Sequence, residues 1–389
     1  MPRAPYALSA AIMLVRFADE WTSFLPAGAI EPIRHDLGLS YAQAGIVLAA
    51  LPAGGLLGNL FNIAADHVSR RWLATLGAAG YGAAMIAFGA AHSLLELAGA
   101  AFVWGAASDA LTSACEVTLV DLSGDRLPGA LARMNALASL GDLLGPATLA
   151  IASVLAFGWR SLFEGSGVMM LAYGAWLGSQ EFPPPHPAVA MRRPMSGVIA
   201  CLRDRRVVIS AILLGLFGVL DEPLVGFTIA YLERVRGFSP AEATMLAMAE
   251  IAGALAGFSL FDRLARGRAG ARLLSISTAV MICGLPAMVF APGLVGQVFG
   301  AVSFGAAGAV FYARLQGLVL GLRPGQAGAT SAVVAYVGML GLGFPMLAGW
   351  VSDAWGLPAG LALYCAVPVI LAALVMAAPQ RIFRAPLSS

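Results

Sequence analysis

The sequence is short of charge: charged residues make up 11% of its 389 positions, against about 25% in a typical soluble domain. Hydrophobic residues make up 59%, and the mean hydropathy is +0.83. Too few charges remain to cover a surface that faces water. This balance argues against a soluble enzyme, a nucleic-acid-binding protein and a disordered chain, and it favours a protein that crosses a membrane many times.

Lysine is absent, and all 23 basic residues are arginine, which we interpret as a bias in genomic composition. The four cysteines are scattered and form no CxxC motif, so no disulfide framework or metal site is predicted. No HExxH or GxSxG motif occurs, and no histidine lies inside a predicted span. We therefore expect no enzymatic activity, no cofactor and no bound metal.

Long apolar runs separated by short polar breaks predict about twelve transmembrane helices, since about 20 apolar residues cross a bilayer. The runs are rich in Ala, Leu and Gly, which suits closely packed helices and not the short alternating strands of a barrel. The fold class predicted is therefore an all-α membrane protein. The predicted spans, numbered 1 to 12 in chain order, are 8–30, 42–64, 73–91, 94–122, 132–157, 160–180, 207–232, 240–262, 270–291, 293–320, 327–350 and 357–378.

Arginine distribution predicts the orientation of these spans. With the N-terminus in the cytoplasm, 17 arginines fall on the cytoplasmic side, four fall on the opposite side and two lie within spans. The positive-inside rule then places both termini in the cytoplasm. We expect a multi-pass protein of the bacterial cytoplasmic (inner) membrane.

The sequence divides into two halves of six spans. A proline-rich and arginine-rich stretch at 181–206 cannot continue a helix and predicts a cytoplasmic linker. It separates an N-terminal half, 1–180, from a C-terminal half, 207–389. Matching features recur at offsets of 196 to 202, which predicts duplicated halves, as in two-domain secondary transporters. These matches are Asp19-Glu20 with Asp221-Glu222, Ser40 with Ser239, Asp66 with Asp262, WGAAS at 104–108 with FGAAG at 304–308, and Pro146 with Pro345.

The loop after span 2 reads NIAADHVSRRWL and resembles a loop signature of the major facilitator superfamily. Asp66, Arg70 and Arg71 match that signature, whereas Asn62, His67 and Ser69 depart from it. The resemblance implies a fold of two pseudo-symmetric six-helix halves. It also implies that Asp66, Arg70 and Arg71 form a gate that holds the cytoplasmic ends of the halves together.

Span 5 carries GDLLGP, whose Gly141, Gly145 and Pro146 match a motif of proton-coupled exporters in that superfamily. The segment SFLPAGAIEPIRHDLGLSYAQAGIVLAA at 23–50 is also similar to bacterial drug exporters, including the fosmidomycin-resistance type. These likenesses imply export. Such exporters often carry an arginine in span 4, at the position where this chain has Ala101. Any role of that arginine in proton coupling must therefore lie elsewhere in this protein, or the protein works differently.

Ten ionisable residues lie well inside the predicted spans, where a charge costs about 2.5–3.5 kcal/mol and normally faces a cavity or a partner. The resemblance implies that spans 1, 4, 7 and 10 line a central cavity and that spans 3, 6, 9 and 12 face lipid. Most of the ten fall on the cavity-lining spans. The candidate substrate-binding and proton-binding residues are Arg16, Asp19, Glu20, Asp109, Glu116, Asp142, Asp221, Glu222, Glu250 and Arg314.

Several roles remain open for these residues. Arg16 is three and four residues before Asp19 and Glu20 and reaches either, but it neutralises only one. Arg314 either pairs with Glu116 as a lock between the halves or binds a substrate carboxylate.

Two roles also remain open for each of the other intramembrane acids named next. Asp142 and Glu250 are either proton carriers or helix-to-helix hydrogen bonders. Asp221 and Glu222 are either a protonated pair or a cation or proton site, and Pro223 predicts a kink beside them. At least one carboxyl of span 1 or span 7 is expected to change protonation during transport.

These observations predict a secondary transporter that works by alternating access and exports a cationic or zwitterionic small molecule, such as a drug-like compound, a polyamine or a metal complex, in exchange for protons. Its partners are then the substrate, protons and the lipid bilayer, with no nucleic acid, and we expect a monomer. One alternative is proton-coupled uptake of a small organic solute, with Arg314 as the carboxylate anchor. A more distant alternative is a receptor or scaffold that does not transport.

Overall fold

The computed structural model describes residues 6–57, 69–123, 127–183, 194–265, 270–322 and 327–378. Within these ranges the backbone is helical with short turns, and no strand occurs in them. The expected all-α architecture is therefore confirmed. The chain divides into two compact units, Met1–Met191 and Arg192–Ser389.

The described part of the first unit contains seven helices. They are α1 (Tyr6–Gly28), α2 (Ile30–Leu37), α3 (Tyr41–Gly55), α4 (Arg70–Gly89), α5 (Leu94–Ser123), α6 (Leu127–Val154) and α7 (Trp159–Gly178). The helix α5 packs against α1, α3 and α4, α1 packs against α6, and α4 packs against α7. This places α5 at the centre of the unit.

An aromatic cluster forms part of the core between α4, α5 and α7. The ring of Phe88 lies 4.7 Å from that of Phe163 and 6.0 Å from that of Trp104, centroid to centroid. Tyr81 extends the cluster, with its ring 5.5 Å from Trp104. All four side chains are buried, and tilted or edge-on aromatic pairs of this kind stabilise beyond the area they bury. The cluster therefore fixes α4 and α5 relative to each other.

The described part of the second unit contains nine helices. They are α8 (Pro194–Arg203), α9 (Arg205–Phe217), α10 (Glu222–Arg234), α11 (Pro240–Ala265), α12 (Gly270–Phe290), α13 (Leu294–Leu322), α14 (Ala327–Gly338), α15 (Phe344–Trp355) and α16 (Leu357–Ala377). The helix α13 packs against α11 and α12, and α9 packs against α14. The helix α8 lies within the predicted linker, whose residues 184–193 are outside the described ranges.

Two predicted spans are each divided into two helices, which corrects the sequence prediction. Span 7 consists of α9 and α10 joined by a 3-10 turn at Gly218–Leu220, and span 11 consists of α14 and α15 with a 3-10 turn at Met339–Gly341 between them. Pro223 and Pro345 lie in the first turns of α10 and α15. A proline there loses no helical hydrogen bond, whereas inside a continuous helix it would. The kink predicted at Pro223 is thus a complete break.

Eight helical segments of the described chain are long and apolar enough to cross a membrane, judged by length and composition. The 23-residue helix α1 lies within their range of lengths, 20 to 30 residues, but carries Arg16, Asp19 and Glu20 near its middle. The eight segments are Arg70–Gly89, Leu94–Leu119, Arg133–Val154, Arg205–Arg234, Pro240–Phe261, Gly270–Phe290, Leu294–Val319 and Leu357–Ala377.

Each unit begins its second long apolar helix in the same way. Gly38 and Gly237 precede α3 and α11 with φ of 65° and 72°, a left-handed conformation that glycine adopts without a steric penalty. Two residues later, Ser40 accepts a hydrogen bond from the backbone N–H of Gln43, and Ser239 accepts one from that of Glu242. In both cases the Gln or Glu side chain accepts the serine N–H in return, which completes a capping box.

Each unit also contains a close contact between two of its own helices, and the two contacts are equivalent. A side chain on Gly105 of α5 would meet the carbonyl oxygen of Leu51 in α3, and a side chain on Gly305 of α13 would meet that of Glu250 in α11. The residues of the second contact follow those of the first along the chain by nearly the same offset that separates Ser40 from Ser239. Small residues at such positions let two apolar helices approach at backbone distance.

Candidate functional site

One arginine and four carboxylates lie together between α1 and α5. We call Arg16, Asp19, Glu20, Asp109 and Glu116 the Arg16 cluster. Arg16 Nε donates a hydrogen bond to Glu116 Oε1 at 2.9 Å, and its Nη2 lies 2.9 Å from the same oxygen. Its Nη1 lies 3.5 Å from Asp19 Oδ2 and 3.6 Å from Glu20 Oε1. A single guanidinium thus faces three carboxylates, and its two shortest contacts both go to Glu116.

Helical spacing explains how these side chains converge. Asp19 and Glu20 follow Arg16 by three and four residues, so they lie one turn from it on α1. Asp109 and Glu116 are seven residues apart and therefore share one face of α5. The predicted reach of Arg16 to both acids of α1 is confirmed. Its pairing with Glu116 was not predicted, and the proposed pairing of Glu116 with Arg314 stays a prediction.

Asp19 accepts several hydrogen bonds. The Ser108 hydroxyl on α5 donates to Asp19 Oδ1, and the Tyr81 hydroxyl on α4 donates to the same oxygen at 3.4 Å. The Tyr81 oxygen also lies 2.5 Å from Thr22 Oγ1, which in turn donates to the Ala18 carbonyl at 2.8 Å. Only 17% of the Asp19 side chain is exposed. Side chains from three helices therefore hold this carboxylate in one place.

Ser108, Tyr81 and Thr22 were missed by the sequence reasoning. Ser108 directly precedes Asp109 inside an apolar run, and Tyr81 stands alone in the small-residue stretch AAGYGAA. Each is a lone polar group in a helix interior, which is a weak signal that a partner lies nearby. The resemblance implied that span 3 faces lipid. The Tyr81 side chain is fully buried and turned toward Asp19, so this face of α4 belongs to the interior of its unit. Trp72 and Leu76 on the same helix are exposed, so the expectation that span 3 faces lipid stays a prediction.

The predicted span 5 motif forms the contact between α6 and α1. A side chain on Gly141 would meet the Phe17 carbonyl oxygen, and one on Gly145 would approach Phe24 Cβ at 2.9 Å. Pro146 follows as a buried residue. The glycines therefore seat α6 against the helix that carries Arg16. Their role in gating stays a prediction.

A hydrogen bond adds to the same contact. Trp21 Nε1 of α1 donates to Thr148 Oγ1 of α6 at 2.9 Å. Asp142 follows Gly141 on α6 and is partly buried. The interface next to the Arg16 cluster is thus fixed by a close backbone approach and by a side-chain hydrogen bond.

Asp109 differs from the other acids of the Arg16 cluster. Within the described residues, its carboxylate makes no hydrogen bond and no ion pair, although it lies within electrostatic range of Asp19, Glu116 and Arg16. A side chain on Gly55 of α3 would lie 3.2 Å from Asp109 Oδ2. The absence of a side chain at Gly55 leaves room beside this carboxyl group.

The second unit brings a different pair of predicted residues together. Asp221 is an exposed residue in extended conformation between the 3-10 turn and α10, and it lies within electrostatic range of Glu250 on α11. The ring of Phe217 lies 5.5 Å from Phe311 and 6.0 Å from Tyr312, next to the helix break. Two carboxylates and three aromatic rings thus lie on the segments around this break.

The remaining predicted residues lie in different places. Glu222 begins α10, and Arg314 lies on α13; both are partly buried. Asp66 of the predicted gate lies outside the described residues. Arg71 Nε donates to the Gly178 carbonyl at 2.7 Å, where a cation is favoured by the C-terminus of α7, and its neighbour Arg70 is buried.

Comparison with known proteins gives one sequence match and many structural ones. The sequence profile of the Major Facilitator Superfamily matches residues 10–344. No curated protein sequence matches the chain. A bacterial homologue of the human lysosomal transporter Spinster, in an inward-facing and unoccupied conformation, is similar with a TM-score of 0.79 at 17% identity, covering 97% of this chain and 98% of that one.

Two further solved structures show the same likeness. The nucleoside transporter NupG gives a TM-score of 0.78 at 13% identity, covering 97% of this chain and 100% of that one. A D-xylose-proton symporter gives 0.77 at 14% identity, covering 98% and 99%. At such low identity these likenesses concern the fold alone.

Proposed function

The chain belongs to the major facilitator superfamily, and we propose that it exports a cationic or zwitterionic small molecule in exchange for protons. Its fold is the all-α membrane fold of that superfamily, and it is a transporter of small molecules, not an enzyme. The proposal concerns the direction of transport, the coupling ion and the chemical class of the substrate.

The Arg16 cluster is the observation that supports this proposal. Four carboxylates share this cluster with a single guanidinium, which contacts three of them, so full ionisation would leave three uncompensated negative charges inside a helical unit. A charge at the centre of a membrane costs about 2.5–3.5 kcal/mol unless a partner or water meets it. Protons or a bound cation supply the missing positive charge. When both use the same carboxylates, binding of one lowers the affinity for the other, which is the thermodynamic basis of antiport.

A zwitterion also fits the cluster. Arg16 can receive a carboxylate if a cationic group takes its place beside Asp19 or Glu20. Side-chain exposure of 17% to 38% for Arg16, Asp19, Glu20 and Glu116 shows that these groups are not sealed from a ligand. Trp21 is partly exposed next to the cluster, and an indole face attracts organic cations.

Export is supported by the similarity of Gly141, Gly145 and Pro146 to the exporter motif. The D-xylose-proton symporter among the similar structures makes uptake the competing direction. On the basis of the arginine distribution we further propose that both termini are cytoplasmic. We also propose that the protein is a monomer of the bacterial inner membrane.

Purified protein in liposomes with an imposed pH gradient tests the proposal. Ethidium, tetraphenylphosphonium and spermidine serve as probes while a trapped dye reports the internal pH. We expect at least one cation to move against its gradient as protons move the opposite way. Asp19→Asn should abolish this coupled flux. Glu164→Gln, which removes an exposed acid of α7, is the matched control and should leave the flux unchanged.

Each part of the proposal fails on a different result. If the cations and protons move in the same direction, the protein is a symporter. If an anionic or neutral solute is moved while all cations are ignored, the substrate class is wrong. If transport is independent of the pH gradient, proton coupling is wrong.

A further inference from the structure

We propose that Asp109 is the residue of the Arg16 cluster that binds and releases the proton, whereas Asp19 remains a fixed anion. This inference rests on the proposed function, since it assigns a proton site within a proton-coupled transporter. It follows from the different hydrogen-bond partners of the four acids. Hydrogen-bond donors stabilise the ionised form of a carboxyl group. A carboxyl group without donors is stabilised in a buried site only by a proton or by a nearby cation.

Asp19 is the acid with the most donors. Hydroxyl groups of Ser108 and Tyr81 both point to its Oδ1, and Arg16 Nη1 lies 3.5 Å from its Oδ2. Hydrogen bonds and a nearby cation stabilise the ionised form of a carboxyl group. Both oxygens of Asp19 are therefore suited to accepting, and a proton on either would disrupt the arrangement.

Glu116 and Glu20 share the same arginine. Glu116 Oε1 receives two guanidinium nitrogens at 2.9 Å, and Glu20 Oε1 lies 3.6 Å from a third. Their charges are thus compensated from the same side. Arg16 is in direct contact with these acids and with Asp19, and it acts on the fourth carboxylate of the cluster only through its field.

Asp109 is that fourth carboxylate. Its carboxylate interacts electrostatically with Asp19 and Arg16 on α1 and with Glu116 on its own helix. The neighbouring α3 presents Gly55, and Tyr81 of α4 is directed to Asp19 and Thr22. Within the described residues no donor reaches the Asp109 oxygens. A proton on Asp109 removes its repulsion from Asp19 and Glu116, and no hydrogen bond to its carboxylate from the described residues is lost.

The coupling step then follows from charge balance. A cation that binds at the cluster makes ionised Asp109 favourable, so the Asp109 O–H bond breaks, its electron pair stays on the carboxylate, and the proton leaves to water. When the cation departs, Asp109 takes up a proton again. Asp109 is partly exposed, so the proton that it releases can pass to water.

Infrared titration of the full chain in liposomes tests the assignment, with pH alone as the probe. A protonated carboxyl group has a C=O stretching band that the carboxylate lacks. At pH 5, the spectrum of the wild type minus that of Asp109→Asn should contain this band. The spectrum of the wild type minus that of Asp19→Asn should contain only carboxylate bands. The reverse pattern, or the band in neither difference, would overturn the proposal.

A second variant protects the test from a failure of Asp109→Asn to fold. Gly55→Ala places a methyl group beside Asp109 Oδ2 and keeps every acid. It should exclude water from this carboxyl group, so the protonated band should persist to higher pH than in the wild type. Gly99→Ala on α5, whose new methyl group meets nothing within 4 Å, is the control and should leave the titration unchanged. An unchanged titration in Gly55→Ala would contradict the assignment.

The infrared result is independent of transport. If the band belongs to Asp109 but no cation flux is coupled to protons, the proton site stands and the proposed function fails. If coupled flux is found while the band belongs to Asp19, the proposed function stands and this inference fails.

Discussion

Two buried tyrosines differ in what their hydroxyl groups contact. The Tyr81 hydroxyl lies 2.5 Å from Thr22 Oγ1 and 3.4 Å from Asp19. The Tyr364 hydroxyl is buried with no hydrogen-bond partner among the described residues, and its ring packs 4.9 Å from that of Phe344. Removing a paired hydroxyl loses a hydrogen bond, whereas removing an unpaired one relieves a desolvation cost.

Tyr81→Phe should therefore destabilise the protein by about 1.5 kcal/mol, and Tyr364→Phe should be neutral or stabilising. Both variants keep the aromatic ring, so packing is matched. Thermal unfolding of the purified variants in detergent measures the difference. Equal shifts in the two variants would mean that the Tyr81 hydrogen bonds contribute nothing to stability.

Arg16 and Glu116 offer a second comparison between single residues. About a third of each side chain is exposed, 34% and 38%, so solvent weakens their attraction. A double-mutant cycle with Arg16→Gln and Glu116→Gln should give a coupling free energy of about 1 kcal/mol in thermal unfolding. Arg16→Gln combined with Glu96→Gln should be additive, because Glu96 is about 30 Å from Glu116 along α5. No coupling in the first cycle would indicate an ion pair that solvent fully compensates.

At the level of elements, glycine sets the distance between paired helices in both units. Gly105→Ala and Gly305→Ala each push a methyl group into the carbonyl oxygen of a facing helix, and such overpacking typically costs about 1–3 kcal/mol. Gly99→Ala and Gly317→Ala lie on the same two helices, where the added methyl group meets nothing within 4 Å. We expect lower thermal stability for the first two variants only. A loss in one unit without the other would argue against equivalent roles for the two contacts.

The apolar runs predicted most of the long helices because a membrane span has a length and composition that a sequence shows directly. They did not predict the breaks after Phe217 and Gly338 as full interruptions, because proline alone does not distinguish a kink from a break. Local spacing predicted that Arg16 reaches Asp19 and Glu20. The pairing of Arg16 with Glu116 depends on how α1 packs against α5, 100 residues away, and no local pattern contains that information.

Hydroxyl groups were harder to interpret than charges. A charge inside an apolar run demands an explanation, so every member of the Arg16 cluster was found from the sequence. A neutral hydroxyl group costs less to bury than a charge, so nothing in the sequence placed Ser108 and Tyr81 at Asp19. The residues that distinguish Asp19 from Asp109 are for this reason visible only in the folded unit.

At the scale of the whole molecule, the recurrence of caps and glycine contacts supports two units built on one plan. Ser40 and Ser239 begin equivalent helices with the same capping box, and Gly105 and Gly305 make equivalent close contacts. The charged residues of the two units, by contrast, are not arranged in the same way. The first unit surrounds an arginine with acids, whereas the second places Asp221 and Glu250 around a broken helix. Duplicated scaffolds with different charges would allow the first unit to specialise in the proton exchange that we propose.

The arginine distribution makes a prediction about sidedness for the whole chain. Seventeen arginines on one side against four on the other place the linker 181–206 in the cytoplasm. Cys283 is exposed on the surface of α12, so the test uses a Cys283→Ser background, which removes this thiol as a second labelling site. In that background, Ser196→Cys should be shielded from an impermeant thiol reagent in intact cells and should react after permeabilisation. His92→Cys, at an exposed position in the turn between α4 and α5, should react without permeabilisation. The opposite pattern would invert the topology, and the export direction proposed for the Arg16 cluster would have to be reassigned with it.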